Sequence, residues 1–225
     1  MKDYISFRSY HPKLYLQDRN YLRKELEEKC KFLGWEIRDK YSKDIDYIIS
    51  KGAENEFMKG IRFVTNKHLE DILFPQSLYQ FIYKQEEMKE SKEYIGFDLD
   101  GTLIKSNNSL IKGVKEKLRG LFESGYNIII ISNQKRRKIG DPKLKIKIEK
   151  VLKEIDVPMI VFCAREENVY RKPDIGCTYL VPKSFGKMKE FVGDAAGRIG
   201  DHSDDDLQFA KNFGVEFKTA ESYFR

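Results

Sequence analysis

Long apolar runs are missing from this chain of 225 residues. Its uninterrupted apolar stretches are a handful of residues long, against the roughly 20 that a membrane helix needs, which excludes a helical span. The start, Met1-Lys2-Asp3-Tyr4, lacks the apolar stretch of a secretory signal. Cysteine is scarce: Cys30, Cys163 and Cys177 stand alone, with no Cys-x-x-Cys pair. This speaks against a disulfide framework and a cysteine-rich zinc site, and fits an intracellular, reducing compartment. Internal repeats and low-complexity tracts are also absent. What is present is enough apolar material for a core, 40% hydrophobic with 13% aromatic, despite 35% charged residues. The length suits one domain or two.

The net charge of +6 is compatible with a polyanionic partner without requiring one. Its distribution is more informative. Residues 1–90 hold 17 basic and 16 acidic side chains, and residues 91–225 hold 25 and 20. Within the second part, Lys135 to Lys147 carries seven basic residues against one acid, Asp141. Taken alone, such a run is a solvated helix face.

Lys84 to Glu93 (KQEEMKESKE) has one apolar residue in ten and reads as a linker, 84–93. Beyond it, strands and helices alternate. Tyr94–Leu99 reads as a short apolar strand. Val114, Leu118, Leu121 and Phe122 fall on one helix face, closed by Gly125. Asn127–Ser132 is a β-branched strand; Pro142 can open the next helix, striped by Ile148, Val151, Leu152 and Ile155. Met159–Cys163 and Lys189–Gly193 read as further strands, followed by a helix around Leu207–Lys211 and a strand at Val215–Phe217. This order predicts an α/β fold with a parallel sheet, whose site lies at the carboxyl ends of the strands.

Chemistry-bearing residues fall at four such ends. Asp98-Leu99-Asp100-Gly101-Thr102 follows the first strand. Its two carboxylates suit Mg²⁺, or a nucleophile with a general acid/base. Ser132-Asn133-Gln134 ends the second strand and can bind a phosphoryl oxygen. Lys172, in Arg171-Lys172-Pro173, follows the third and can neutralise a transferring phosphoryl group. Asp194, before a glycine-containing loop, ends the fourth and is a second metal carboxylate. Each motif alone also fits an ordinary turn or helix cap. Their succession at strand ends carries the functional reading.

On these strings the chain resembles the haloacid dehalogenase superfamily. GFDLDGTLI (96–104), SNQ (132–134), RKP (171–173), VGDAAGR (192–198) and the tail at 201–224 resemble the 3′-phosphatase domain of polynucleotide kinase 3′-phosphatases. The resemblance implies a Rossmann-like parallel sheet over 94–225. It implies Asp98 as the nucleophile that forms an aspartyl-phosphate, and Asp100 as general acid and then base. Mg²⁺ would be held by Asp98, the Asp100 backbone carbonyl and Asp194. Ser132 and Lys172 would hold phosphoryl oxygens, and Thr102 would orient Asp100 or its loop. Asp206 matches a later acidic position, with Asp201 before it; the Asp204-Asp205-Asp206 run leaves the register open.

Asp98 to Ser132 is 34 positions and Ser132 to Lys172 is 40, each used by a helix and a strand, which leaves no room for a cap. An uncapped site suits a polymer end: DNA 3′-phosphates at nicks, gaps or single strands. Lys135, Arg136, Arg137, Lys138 and Arg198 become nucleic-acid contacts that read backbone phosphates. The rival enzyme is a small-molecule phosphatase of the same superfamily. A silent repair scaffold is a third reading, opposed by the intact aspartates. No G-x-x-x-x-G-K-[ST] string occurs and little chain follows, so no 5′-kinase activity is expected.

In the first part, Leu22, Leu26, Cys30 and Leu33 have helical spacing stopped by Gly34. Ile45–Ile49 and Ile61–Val64 read as strands, and Asn66 can cap a helix over Lys67–Leu73. Gly34-Trp35, DYIIS and KGIRFVTNKHLEDIL resemble a BRCT domain over 1–83, with His68 where that family has tryptophan. The resemblance implies binding to repair proteins, DNA or phosphopeptides, and the near-neutral charge of this part favours a repair protein such as a ligase or polymerase. The setting expected is the nucleus or, for a viral protein, a cytoplasmic replication site.

Overall fold

A computed structural model describes residues 12–17, 22–50, 62–134 and 142–224. The chain forms two compact units, divided between Gln76 and Ser77, with residues 178–183 grouping with the first. Among the described residues, no helix is long and apolar enough to cross a membrane.

The first unit holds β1 (Lys13–Leu16), α1 (Lys24–Leu33), β2 (Glu36–Arg38), β3 (Tyr47–Ile49), β4 (Arg62–Val64) and α2 (Asn66–Leu73). The strands form one parallel sheet in the order β2-β1-β3-β4. The spacing of Leu26, Cys30 and Leu33 puts all three on the buried face of α1. Gly34 ends that helix at φ 72°, a left-handed turn that favours glycine. Its amide donates to the Lys31 carbonyl, and the Trp35 amide donates to that of Cys30.

The second unit holds β5 (Leu78–Tyr83), β6 (Glu93–Phe97), α3 (Val114–Glu123), β7 (Asn127–Asn133), α4 (Pro142–Ile155) and β8 (Met159–Ala164). It continues with β9 (Lys187–Gly193), α5 (Asp205–Phe213), β10 (Glu216–Thr219) and α6 (Ala220–Tyr223). The sheet order is β10-β9-β6-β7-β8-β5. The first five strands are parallel, and β5 joins antiparallel to β8, from Leu78 opposite Ala164 to Tyr83 opposite Met159. The β-branched run of β7 is buried throughout apart from its last residue, as expected for a strand covered on both faces. Val114 and Leu118 of α3 join Ile148, Val151 and Ile155 of α4 in one core with Ile95, Phe97, Ile128 and Ile130. Phe209 of α5 packs against Phe191 of β9, ring centroids 4.6 Å apart.

The boundary expected at 84–93 therefore moves. Residues 78–83 are the edge strand of the second sheet, where they cover the open side of β8. Lys84–Lys92 is a connection inside that unit, with a short helical turn at Gln85–Glu87. An edge strand with mixed polarity looks alike in sequence whichever sheet it joins.

The strand order places the site. From β6 the chain steps to β7 and β8, then returns to β9 on the other side of β6. At such a reversal the loops leaving neighbouring strands diverge and open a crevice at their carboxyl ends. Asp98, Ser132 and Asp194 lie there.

Candidate active site

The chain leaves β6 through a sharp turn. The Asp98 amide still donates to Val192 of β9 at 2.8 Å. The Leu103 and Ile104 amides both return to the Leu99 carbonyl, at 2.9 and 3.1 Å. Gly101 sits at φ 83°, and a Cβ there would lie 2.2 Å from Asp194 Oδ2. Glycine thus supplies both the backbone angle and the space that let the Asp194 carboxylate approach. The turn keeps the Asp98 side chain buried and leaves that of Asp100 46% exposed.

The end of β7 organises the neighbouring loops. Asn133 Nδ2 donates to the Lys172 carbonyl at 2.9 Å, and the Lys172 amide donates back to Asn133 Oδ1 at 3.0 Å. This two-way clip fixes the backbone that carries Lys172. Asn133 Nδ2 also reaches Asp205 Oδ2 at 3.2 Å. Buried Gln134 donates from Nε2 to Ser132 Oγ at 2.8 Å and to Asp100 Oδ2 at 2.6 Å. Lys147 of α4 contacts both Asp100 oxygens, at 2.6 and 2.8 Å. Asp100 is therefore held by Gln134 and Lys147. Thr102, expected to orient it, is fully buried, and its hydroxyl makes no hydrogen bond among the described residues.

The centre is a buried charge cluster. Lys172 Nζ lies 2.6 Å from Asp98 Oδ1 and 2.6 Å from Asp206 Oδ1. Burial alone would lower the Lys172 pKa, but the charges of Asp206 and Asp98 outweigh it and push it up, so the ammonium stays charged. Asp98 shows the opposite balance. Burial, helped by the charges of Asp206 and Asp194, overrides the Lys172 ammonium and raises the carboxyl to about 7. Asp194 is also raised, by burial first and then by Asp206.

Asp98, Asp194 and Asp206 each offer a carboxylate oxygen within 4.8 Å of the others. Three carboxylates against one ammonium leave two negative charges in poorly solvated surroundings, a deficit that a divalent, oxygen-preferring cation matches. The donor set therefore fits Mg²⁺.

Asp206 is deeper in this cluster than the sequence disclosed. It is 1% exposed in the first turn of α5, and its Oδ2 accepts the Ala195 amide at 3.0 Å. A Cβ at Gly193 would stand 2.3 Å from that same oxygen. The open register of the aspartate run is resolved by direction. Asp206 points inward, Asp205 meets Asn133, and exposed Asp204 accepts from Gln208 at 2.9 Å.

Asp201 and Arg198 form a separate pair. Arg198 donates to both Asp201 oxygens, to both Glu221 oxygens and to the Asp194 carbonyl. Expected as a nucleic-acid contact, the guanidinium instead has its donors turned onto two carboxylates and the loop that carries Asp194. Lys135, Arg136, Arg137 and Lys138 lie outside the described residues.

The cluster gains a context from known proteins. The sequence model of a family described as polynucleotide kinase 3 phosphatase matches residues 93–224, which include every member of the cluster. Over 164 residues the chain is 33% identical to the bifunctional polynucleotide phosphatase/kinase of Schizosaccharomyces pombe, covering 64% of this chain and 40% of that one. Over 178 residues it is 30% identical to the polynucleotide 3′-phosphatase ZDP of Arabidopsis thaliana, covering 64% of this chain and 26% of that one. The chain thus spans less than half the length of these two curated relatives. A crystal structure of a HAD-like phosphatase from Mesorhizobium loti shares the fold, with a TM-score of 0.51 at 14% identity, over 63% of this chain and 78% of that one.

Proposed function

Because the chain belongs to the polynucleotide kinase 3 phosphatase family, we propose that its second unit removes phosphate from DNA 3′ ends. The observation that carries this reading is the set of buried Asp98, Lys172 and Asp206 with half-buried Asp194, and with Asp100 at its exposed rim. The names of the relatives support a polynucleotide 3′-phosphate as the substrate.

In this reading an Asp98 carboxylate oxygen attacks phosphorus. The bond from phosphorus to the 3′ oxygen breaks, its electron pair goes to that oxygen, and Asp100 supplies the proton. Asp100, now a carboxylate, takes a proton from water as the water oxygen attacks the aspartyl-phosphate. The Asp98–phosphorus bond breaks, its electron pair returns to Asp98, and phosphate leaves. Lys172 and Ser132 face the phosphoryl oxygens and oppose the repulsion between an anionic nucleophile and an anionic ester. Mg²⁺ held by Asp98, Asp194 and the Asp100 carbonyl would offset further phosphoryl charge. Asp206 keeps Lys172 in place and adds to the cation-binding set.

The described connections out of β6 and β7 are taken up by α3 and α4, with no inserted cap domain among the described residues. That supports a polymer terminus over an engulfed metabolite. No phosphate-loop string occurs in these 225 residues, so 5′-phosphorylation is not part of the proposed activity. The first unit is proposed as a BRCT-like docking module for a repair protein.

The test is phosphate release with and without Mg²⁺ from an oligonucleotide bearing 3′-phosphate at a nick. A 5′-phosphorylated strand and a panel of phosphorylated metabolites are run beside it, with Asp98→Asn as blank. Release confined to the 3′ end, Mg²⁺-dependent and absent in the blank, establishes the reading. Preference for a metabolite overturns the substrate, and silence on every substrate overturns the activity.

A further inference from the structure

Lys147 lies at the end of a basic run that, from sequence alone, belongs to a solvated flank. Its placement is different. Its side chain is only 9% exposed, and its ammonium spans both oxygens of Asp100. Helix α4 delivers it: Leu144, Ile148 and Val151 are buried on the core side of that helix, and Lys147 follows Leu144 by three positions. Meanwhile Ile146 (64% exposed) and Lys145 face outward. A lysine loses rotamer freedom and hydration when buried, so a surface flank would not place one here. Its partner, Asp100, is the group at the rim of the cluster, and the same carboxylate also accepts from Gln134 Nε2 at Oδ2.

We propose that Lys147 is a positioning residue for phosphoryl transfer, holding the Asp100 carboxyl group at the angle from which it serves the leaving oxygen as an acid, with the proton on one oxygen and the lysine on the other, and then serves the attacking water as a carboxylate. This rests on the phosphatase reading above. Packing fixes the lysine, the lysine with Gln134 fixes Asp100, and neither need touch DNA.

The test compares Lys147→Met and Lys147→Arg with the wild type on two substrates: the 3′-phosphorylated oligonucleotide and p-nitrophenyl phosphate. The 3′ oxygen leaves poorly without a proton, whereas nitrophenolate leaves without one. Lys147→Met is expected to lower kcat on the oligonucleotide about 100-fold with little change in KM, the scale of a misplaced catalytic group. On p-nitrophenyl phosphate it should keep the first burst of nitrophenolate and slow only the later turnover, when Asp100 must activate water. Lys147→Arg, which can still span a carboxylate, should regain most of the activity. Equal loss in the burst and on the oligonucleotide, a rise in KM at constant kcat, or no loss would each overturn the proposal. A wild type active only on p-nitrophenyl phosphate defeats the DNA reading, while its burst comparison still decides the role of Lys147. A wild type inert on both defeats the phosphatase reading. Crystal structures of wild type and Lys147→Met then decide the positioning, and an unmoved Asp100 overturns it.

Discussion

The two units place their charges differently. In the first, ion pairs join exposed groups: Arg23 to Glu70 at 2.6 Å, Lys13 to Asp44 at 2.6 Å, and Arg38 to Asp44 at 3.0 Å. Water screens each of them, so each adds little to stability. In the second, Lys172 lies 2.6 Å from Asp98 and 2.6 Å from Asp206, in ion pairs almost wholly removed from solvent. Burial of that kind costs more than packing apolar groups in the same volume. A fold keeps such a cluster where chemistry needs it, and the contrast marks the second unit as the working part of the molecule.

The largest expected effect sharpens that contrast. Asp98→Asn should bring 3′-phosphate release down to background while the melting curve stays cooperative. Lys172→Met comes next, because it removes the ammonium that bridges Asp98 and Asp206. It should cost about 3–5 kcal/mol in a denaturant titration, besides activity. Adding Asp206→Asn should recover part of the stability and none of the activity. Equal stability of wild type and Lys172→Met would break the claim that these charges depend on one another.

Gly101→Ala is a smaller perturbation of the same site. Its Cβ would run into Asp194, and φ 83° disfavours alanine. A destabilisation of about 1–3 kcal/mol is expected, with weaker Mg²⁺ binding measured by calorimetry. In the first unit, Arg23→Ala should barely move the melting temperature, since both partners of that pair are about half exposed. A large shift there would erase the difference between the units.

The smallest effect is seen at acid pH. The hydrogen bonds from Arg198 hold Asp201 at about 2, below its ordinary value of 3.8. The folded value is depressed, so the pair's contribution is present above about pH 4 and is lost as pH falls toward 2. Arg198→Ala should therefore flatten the acid limb of a melting-temperature profile between those values. An unchanged limb would mean that the loop is held without this pair.

Much of the second unit was legible because local chemistry and position coincide. Asp98, Ser132 and Asp194 each end an apolar strand, and the alternation of strand and helix declares a parallel sheet. Lys172 follows the next strand, although the Asn133 clip that holds its backbone was not visible. Thr102 was expected to orient Asp100 or its loop, and the hydrogen bonds that Asp100 accepts come from Gln134 and Lys147. Gln134 was read with Ser132 and Asn133 as a ligand for a phosphoryl oxygen, because a strand-end amide gives no sign that it will face Asp100. Arg198 looked like a phosphate contact because its partner Glu221 lies 23 positions away. The edge strand β5 was assigned to the wrong unit, since short mixed-polarity runs carry no address.

The order of apolar runs, the glycine at position 101 and the acids at strand ends follow from the chain alone, because backbone propensity and hydrophobic period act over a few residues. Which of three consecutive aspartates enters the cluster, which lysine of a basic run reaches Asp100, and which sheet takes residues 78–83 were decided only in three dimensions. Those choices depend on burial and on partners tens of positions away, and a charged side chain takes a buried place only when folding has already assembled the opposite charge beside it.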